Sequence, residues 1–472
     1  MTHCEGPAGG PLGVLDSRYY RRNPQAVARL GPYFSEDAFV GHLLQVEVAL
    51  AKVLAARGVC PASAYEEIRR AAAQVTADEV HAEQLRIRHM VMSLVNCVRA
   101  RVSDETKPYV HLTATTNDIV CSADAVRYKA FTRNVLLPRL VELERTVIAR
   151  ARAEKDTLQI GRTHGQHAEP ITFGFALAQF VSRLGRMILR VRDSAEDLRG
   201  KMAGAVGAHN ASSLFFEDPE AFEADVMAEL GIAASPISTQ IVEGEFFVDY
   251  LHALTSTFSI VANLADDMRQ LHRTEIGEVE EHFGDEQVGS STMPHKRNPT
   301  RLENIKSLWK VYMPRMATAY TDQISEHQRD LTNFESILFA SETAAGLYFA
   351  VDVLDETMKM LVVRRDRMAQ NFRMSEAAII AEPAHLLLSS RGHREAHEIV
   401  RRLSRDSARQ GIDLRTLLFA DPALKPYLDG LTEAERALLR DPARYTGISA
   451  RKTAAVCDEW EKAMDRLAGE IA

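Results

Sequence analysis

One apolar stripe constrains the fold of this chain more than any other feature of its sequence. Its apolar residues recur at spacings of three and four, with no intervening Gly or Pro: Leu251, Leu254, Phe258, Val261, Leu264, Met268 and Leu271. This is the period of an amphipathic α-helix, and at 1.5 Å per residue it predicts a rod roughly 30 Å long. Such a rod buries its apolar face most simply against other long helices, so the stripe predicts a bundle.

Two further segments carry the same spacing. One runs from about Ser122 to Glu154, with Pro138 inside it, where we expect a kink. The other covers about Glu342 to Val362. Few segments alternate polar and apolar residues with period two, so the pattern predicts an all-α fold. Because rods of this length are often buried between subunits, we also expect a homo-oligomer.

The chain has 472 residues, which is long enough for two or three domains with ample cores. A mixed helical segment precedes the long helices and an arginine-rich segment follows them. We therefore predict three mainly helical domains: an N-terminal domain of residues 1–112, a central long-helix domain of residues 113–363 and a C-terminal domain of residues 364–472.

Composition narrows the classes of partner. The chain has 57 basic and 65 acidic residues and a net charge of −8, which argues against binding to nucleic acid or to an anionic membrane. Its five cysteines are too few, and odd in number, for a disulfide framework, and none has zinc-ligand spacing. The sequence begins with no basic stretch followed by an apolar run, and it contains no run of 18 uncharged apolar residues. These features predict a cytoplasmic protein without nucleic-acid, membrane or metal partners.

The segment Gly289–Pro299, with the sequence GSSTMPHKRNP, concentrates polar chemistry after the longest predicted helix. Lys296 and Asn298 are suited to binding a carboxylate, more tightly as it gains charge, and the hydroxyls are candidate proton acceptors. An alternative interpretation is structural. In that interpretation Asn298 caps a helix that starts at Pro299, and the serines are turn residues. The residues alone leave both interpretations open.

Two other segments carry candidate chemistry. Arg162–Pro170 contains His164 and His167, three residues apart, which would share one face if the segment were helical. Acid–base catalysis or a structural role fits them better than metal binding, because no third ligand has a telling spacing. His111–Asp118 offers threonine donors suited to oxyanions, or a capped turn. Gly200–Gly207 lacks both the Walker pattern and a preceding strand, so we reject a nucleotide-phosphate loop there.

Together these loops resemble the signature regions of the aspartase/fumarase superfamily, and specifically of its adenylosuccinate lyase-like branch. The Gly289–Pro299 run carries the resemblance most specifically. Further matching segments lie in the same order as in the family, within a resemblance that extends from about Asp16 to Gly447: Gly161–Gly174, Gly200–Gly207, Leu264–Arg269 with Glu275–Glu281, and Gln328–Thr332.

This resemblance implies a fold, an assembly and a reaction. The family has three mainly helical domains and a twenty-helix core in a homotetramer, and each active site is built from loops of three subunits. Its reaction removes a β-proton from a substituted succinate and usually releases fumarate, with no metal or organic cofactor. A proton beside a carboxylate is very weakly acidic, so the carbanion requires cations and hydrogen-bond donors that strengthen as charge develops.

The resemblance also implies residue roles. Ser290 matches the catalytic base and His164 the general acid, with Glu303 as the charge partner of His164. The residues that match substrate-binding positions are Lys296, Asn298, Thr115, Thr116, Gln240, Arg329, Arg18, Tyr19 and His89.

Two positions depart from the family in the region that holds a nucleotide. Met90 follows His89 where the family has Asp, and Leu338 stands nine residues after Arg329, where the family typically has a second, phosphate-binding arginine. We therefore predict a lyase that releases nitrite or an amine from a non-nucleotide succinate such as nitrosuccinate. The alternative is an adenylosuccinate lyase. A 3-carboxy-cis,cis-muconate cycloisomerase and a non-catalytic helical scaffold are weaker alternatives.

Overall fold

A computed structural model describes residues 23–324, 327–328 and 332–471 of the chain. The predicted site residues Arg18, Tyr19 and Arg329 lie outside these described residues. Five helices form the N-terminal segment: α1 (Pro24–Phe34), α2 (Glu36–Ala56), α3 (Ala62–Ala72), α4 (Ala77–Ile87) and α5 (Met90–Arg99).

The central segment contains the longest helices. Its helices are α6 (Thr116–Phe131), α7 (Leu137–Ala153), α8 (Phe173–Glu196), α9 (Pro219–Glu229), α10 (Gly244–Leu271), α11 (Thr300–Tyr312), α12 (Arg315–Thr321), α13 (Phe334–Leu338) and α14 (Ala340–Met360). The last segment contains α15 (Arg365–Ile379), α16 (Ala381–Ser390), α17 (Ala396–Gln410), α18 (Leu414–Ala420), α19 (Lys425–Asp429), α20 (Glu433–Arg440) and α21 (Ser449–Ile471).

Strands are few and short among the described residues. They are β1 (Leu158–Thr163), β2 (Gln166–Thr172), β3 (Arg199–Gly200), β4 (Ala233–Ala234), β5 (Val279–Glu280) and β6 (Val362–Val363). They form three two-stranded sheets, in which β1 pairs antiparallel with β2, β3 parallel with β4, and β5 antiparallel with β6. The mainly helical fold predicted from the sequence is confirmed.

Helix α10 is the centre of the bundle. It packs against α8, α11 and α14, while α7 packs against α8, α14 and α21. The stripe that predicted this helix is buried from Leu251 to Met268, and Leu271 at its end is partly exposed. With 28 residues, α10 is about 42 Å long, which is longer than the stripe alone predicted.

The irregularity expected at Pro138 is present, and it separates two helices. A π-helical turn, Thr132–Leu136, lies between α6 and α7, and the backbone N–H of Leu137 bonds to the carbonyl of Thr132. Pro138 stands directly after this turn, at the second position of α7, and has no N–H to donate. The long predicted element is therefore α6 and α7 joined by a wider turn.

The last segment has a small core of its own. Buried side chains from Ile380 to Leu439 form a cluster separate from the main core. Helix α21 packs against α7 and α8 in the central bundle. The division into residues 1–112, 113–363 and 364–472 stays a prediction.

Within the described ranges, two helical stretches are long and apolar enough, by length and composition, to cross a membrane. They are Pro24–Ala56 and Phe334–Met360, and in each 61% of the most apolar window is buried within the fold. A core helix that packs against its neighbours passes the same test, so this observation is weak evidence for a membrane span.

Candidate functional site

His164 lies at the tip of a β-hairpin. Strands β1 and β2 are joined by His164 and Gly165, whose φ angles of 54° and 73° are both positive, as in a type I′ turn. The register shifts between Ile160 and Arg162. A Cβ on the intervening Gly161 would lie 2.4 Å from the carbonyl oxygen of Glu169, so glycine allows the two strands to approach. The two histidines therefore lie on a hairpin and not on a helix where they would share a face, and His164 is left exposed at the turn.

His167 is held on the other side of the hairpin. Its Nδ1 forms a 2.7 Å hydrogen bond with Ser375 Oγ of α15. Burial, and then the charge of Arg162, lower the pKa of His167, so its imidazole is neutral near pH 7. Of the two histidines, His167 is the one with a structural partner, whereas His164 is accessible to substrate.

The loop after α10 holds Ser290 in a tight turn. The Ser290 hydroxyl oxygen accepts hydrogen bonds from the backbone N–H groups of Thr292 (3.3 Å) and Met293 (3.1 Å). Donors aimed at an oxygen stabilise it more strongly when it is an alkoxide. These are the hydrogen bonds of a turn residue, as the structural interpretation of the serines expects, and they also suit a serine that accepts a proton.

Asn298 does not cap a helix. Its Nδ2 donates to the carbonyl oxygen of Gly289 at 2.9 Å, which closes the loop across its base. Helix α11 begins at Thr300, after Pro299, and its first N–H groups donate to the carboxylate of Glu281 instead. The structural alternative for Asn298 and Pro299 is therefore wrong.

Lys296 and Glu303 are both exposed, Lys296 on the loop and Glu303 in the first turn of α11. Within the described part of this chain, no hydrogen bond or ion pair joins Glu303 to His164. Their pairing stays a prediction that concerns the assembled protein.

Thr115 and Thr116 lie at the N-terminus of α6. The backbone N–H of Thr115 donates to Asp118 Oδ2 at 2.9 Å. Asp118 forms a fully buried ion pair with Lys201, whose Nζ also donates to the carbonyl oxygen of Gly204 at 2.9 Å. The Lys201 side chain thus links the 200–207 loop to α6. This structural role agrees with the rejection of a nucleotide-phosphate loop there.

Gln240 carries a buried side-chain oxygen, Oε1, that has no hydrogen-bond partner among the described residues, and so does Gln328. The two residues are neighbours, because the Gln240 backbone N–H donates to the Gln328 carbonyl oxygen at 3.4 Å. Buried polar atoms without partners are rare in folded proteins. This pair is therefore suited to accept hydrogen bonds from a ligand.

His89 and Met90 start helix α5. His89 Nδ1 accepts the backbone N–H of Met92 at 3.2 Å, so its ring caps the helix, and the ring is exposed. Met90 packs against the main core. His89 is thus placed by a local contact that its position in the sequence did not reveal.

The predicted site residues lie at two ends of one bundle. Asn117, next to Thr116, and Val242, near Gln240, line one cavity with Gly244, the first residue of α10. At the other end, the carbonyl oxygen of Arg297 bonds to His272, directly after α10. Since α10 is about 42 Å long, these two groups cannot touch one small substrate within a single chain.

The hairpin belongs to this second end. Arg162 of β1 forms an ion pair with Glu278 at 2.5 Å, and the Glu278 backbone N–H bonds to the carbonyl oxygen of Leu271, the last residue of α10. His164 and Ser290 therefore lie at one end of the bundle, and Thr115, Thr116 and Gln240 lie at the other.

The cavity at the first end has a volume of about 450 Å³. Aromatic and aliphatic side chains dominate its wall, among them Phe247, Phe334 and Leu338. The two arginines in the wall already have carboxylate partners, Arg199 with Asp197 and Arg315 with Glu342. Leu338 therefore faces an apolar space.

Sequence reasoning missed three residues that shape the site: Lys201 as a partner of Asp118, and Arg162 with Glu278. Each belonged to a recognised segment, and their pairing across the fold gave no local signal. Among the described residues, no group of three or more His, Cys, Asp or Glu is arranged to hold a metal ion.

Comparison with known proteins adds an independent line of argument. A family model described as lyase matches residues 18–311. Adenylosuccinate lyase of Pyrococcus abyssi is 34% identical over 437 residues, covering 91% of this chain and 94% of that protein. N-acetyl-S-(2-succino)cysteine lyase of Enterococcus italicus is 29% identical over 445 residues, with coverages of 93% and 96%.

Solved structures share the fold. A fumarate lyase from Mesorhizobium sp. BNC1 aligns with a TM-score of 0.80 at 24% identity, covering 91% of this chain and 97% of that chain. The 3-carboxy-cis,cis-muconate lactonizing enzyme from Pseudomonas putida aligns with a TM-score of 0.79 at 23% identity, with coverages of 92% and 97%. At these identities the similarity concerns the fold alone.

Proposed function

Because the chain belongs to the adenylosuccinate lyase-like branch of the aspartase/fumarase superfamily and is a fumarate-releasing β-elimination lyase, we propose that it cleaves the succinyl C–N bond of adenylosuccinate. The specific substrate follows the relatives, of which the Pyrococcus abyssi enzyme is 34% identical along nearly its whole length. The geometry of the Ser290 turn is the observation that carries the chemical part of the proposal.

In the proposed reaction, the Ser290 oxygen takes the proton from the carbon adjacent to a substrate carboxylate. The electron pair left behind is first held on that carboxylate and then forms the C=C bond of fumarate, as the C–N bond breaks. Backbone N–H groups at 3.1–3.3 Å from Ser290 Oγ favour its alkoxide form. Lys296 and Asn298 bind the carboxylate more strongly as it gains charge.

His164 is the proposed general acid of the reaction. The departing nitrogen takes the electron pair of the broken bond, and His164 donates a proton to it, so that fumarate and a neutral amine leave. The exposed position of His164 at the hairpin tip suits this role, because the imidazole is not engaged by another described side chain. Glu303 of another subunit is the proposed partner of the imidazolium.

The proposed active site draws on more than one subunit. Thr115, Thr116 and Gln240 lie one α10 length away from Ser290 and His164, so one copy of the chain supplies only part of a site. We propose a homotetramer in which both ends of the bundle meet ends from other copies. Arg18, Tyr19, Arg329 and His89 are proposed substrate contacts, and a cytoplasmic location is part of the same proposal.

A second candidate keeps the reaction and changes the leaving group. The apolar wall around Leu338 favours a non-nucleotide leaving group, because a missing arginine removes a charge-assisted contact worth on the order of 1.5–3 kcal/mol. The predicted substrate nitrosuccinate belongs to this candidate. So does a thioether of the type named for the Enterococcus italicus relative.

The deciding experiment follows fumarate absorbance while the purified protein is offered adenylosuccinate, nitrosuccinate, N-acetyl-S-(2-succino)cysteine and argininosuccinate in parallel. Rapid fumarate release from adenylosuccinate supports the first candidate. Release only from a smaller substrate supports the second, and Leu338→Arg is then expected to leave that activity near wild type or lower it. No release from any substrate contradicts the proposed function.

A further inference from the structure

The carboxylate of Glu278 is completely buried and accepts hydrogen bonds from three side chains. Gln159 Nε2 donates to it at 2.8 Å, and Arg162 donates through both terminal nitrogens, at 2.5 and 3.2 Å. Asn371 Nδ2 of α15 donates at 2.9 Å. Two of the donors belong to β1, so one carboxylate joins the hairpin to α15.

The backbone of Glu278 is anchored as firmly as its side chain. Its N–H bonds to the carbonyl oxygen of Leu271 at 2.9 Å, at the end of α10, and its carbonyl oxygen accepts the N–H of Arg364 at 2.9 Å. The carboxylate therefore has a set position relative to the end of α10. Arg162 holds the hairpin at this carboxylate. A guanidinium that donates two hydrogen bonds to one carboxylate fixes both the distance and the relative orientation of the two groups.

The same segment reaches the loop that carries Ser290. Glu281, three residues after Glu278, accepts the N–H of Arg301 at 3.1 Å and donates its own N–H to His272 Nδ1 at 3.2 Å. With Nδ1 accepting, the proton of His272 is on Nε2, which donates to the carbonyl oxygen of Arg297 at 3.2 Å. Residues 272–281 thus contact both the hairpin and the loop.

We propose that Glu278 is a positioning residue of this enzyme: it holds the His164 hairpin in a set position at the end of the bundle, against α10 and α15. The assignment of His164 and Ser290 rests on the proposed function, whereas the structural tie does not. A carboxylate is required, because glutamine at this position has one acceptor oxygen and cannot receive Arg162, Gln159 and Asn371 together. Glu278→Gln would therefore loosen the hairpin with little change in side-chain volume.

The first test compares Glu278→Gln with wild type in fumarate release and in hydrogen exchange. We expect kcat to fall by about 10²-fold, as a misplacement of a catalytic group by about 1 Å does, while KM changes little. We also expect faster exchange of the backbone amides of residues 158–172. Unchanged kcat and unchanged exchange in a folded Glu278→Gln variant would overturn the proposal.

Glu280→Gln is the matched control. Glu280 lies in the same segment and forms an ion pair at 2.5 Å with Arg364, and that contact does not involve the hairpin. The substitution is chemically identical and also removes one carboxylate. We expect kcat to stay within about twofold of wild type and hairpin exchange to be unchanged, since partly exposed ion pairs contribute little.

A double variant separates positioning from stability. Glu278→Gln leaves the Arg162 charge without its partner, which destabilises a buried site, and Arg162→Gln with Glu278→Gln removes both charges. We expect the double variant to regain thermal stability while kcat stays low. Recovery of both together would show a purely structural role and would contradict the proposal.

Two outcomes need separate treatment. If Glu278→Gln does not fold, Asn371→Leu removes a single donor to the same carboxylate, and faster exchange of residues 158–172 remains the expected result. If wild type releases no fumarate from any substrate, the proposed function fails. The exchange comparison then still decides whether Glu278 holds the hairpin.

Discussion

At the scale of single residues, the turn around Ser290 places backbone donors where they would stabilise the deprotonated form of a hydroxyl, which is a very weak acid. Its oxygen accepts two backbone N–H groups, and both belong to the same loop. Ser291, its neighbour, is exposed and has no described hydrogen bond through its side chain. The two serines therefore form a natural pair for testing which hydroxyl takes the proton.

We predict that Ser290→Ala lowers kcat for fumarate release by about 10²-fold or more, because proton transfer by a positioned group typically contributes 10²–10⁴. Ser291→Ala is expected to retain most of the activity. Initial rates with the best substrate, measured for both variants at matched thermal stability, check this. Equal losses in the two variants would contradict the assignment of the base.

Glu144 is a second residue whose surroundings predict a measurable property. It lies on α7, is fully buried, and neither of its carboxylate oxygens has a hydrogen-bond partner among the described residues. Burial raises the pKa of its carboxyl well above the usual range. The folded state therefore holds a proton that the unfolded state releases near pH 4.3.

The pKa of Glu144 is higher in the folded state than in the unfolded state. Its contribution to the free energy of unfolding is therefore complete below the unfolded-state pKa and is lost as the pH rises through the folded-state pKa. Glu144→Leu is expected to remove this decline and to raise the free energy of unfolding at neutral pH by about 1–3 kcal/mol. The check is the slope of the free energy of unfolding against pH, from denaturant titrations over roughly pH 5 to 8, the usual range of maximal stability.

Glu144→Gln is the matched comparison, because it cannot ionise and still buries an unpaired amide. It should show the flat pH dependence of Glu144→Leu without its gain in stability. A wild-type slope in either variant would contradict the account.

At the scale of elements, close helix contacts depend on single glycines. A Cβ on Gly185 of α8 would lie 2.3 Å from the Trp460 ring of α21. The ring is rigid, so the two helices would have to separate. Gly469 lies on the exposed side of α21, and a Cβ added there would have no atom within 4 Å.

Gly185→Ala is expected to destabilise the protein by about 1–3 kcal/mol, because it overpacks the contact between α8 and α21. Gly469→Ala is expected to be neutral or stabilising by up to about 1 kcal/mol, since alanine favours the helix. Thermal melts of the two variants check the pair. Equal melting temperatures would show that the α8–α21 contact adjusts without loss.

At the scale of the whole molecule, a bundle end supplies only part of the proposed site. Gln240 lies near the start of α10 and Ser290 follows its end, with about 42 Å of helix between. If sites form between copies, a chain that lacks one residue can still contribute the other. Activity then becomes a property of the mixture of subunits.

We predict that Ser290→Ala and Gln240→Leu, each of low activity alone, regain activity when they are co-expressed. In a random mixture about a quarter of shared sites would receive both intact residues. Specific activity of the purified mixed oligomer measures this. Ser290→Ala co-expressed with a chain carrying both substitutions is the control, and recovery there would contradict a shared site.

The sequence by itself determined the mainly helical fold class, the longest helices and the candidate site residues. Helical hydrogen bonds join residues four apart, so spacing alone located α10 and α14, and the Gly289–Pro299 run marked the loop after α10. The family, and with it the reaction class, followed from segments that are contiguous in the chain. The choice between nucleotide and smaller substrates did not, because Leu338 is one residue in a wall built from several helices.

Only the tertiary structure decided how those segments meet. His164 and His167 lie on a hairpin because the two strands pair with each other, which their spacing in the sequence did not reveal. Glu278 and Arg162 lie 116 residues apart, and no local pattern records such a contact. Asn298 bonds to Gly289 rather than capping a helix, because Glu281 already accepts the N–H groups at the start of α11. Helices form through hydrogen bonds between residues that are close in the sequence. Buried ion pairs join residues that are far apart in the sequence, so they form only when the chain has folded.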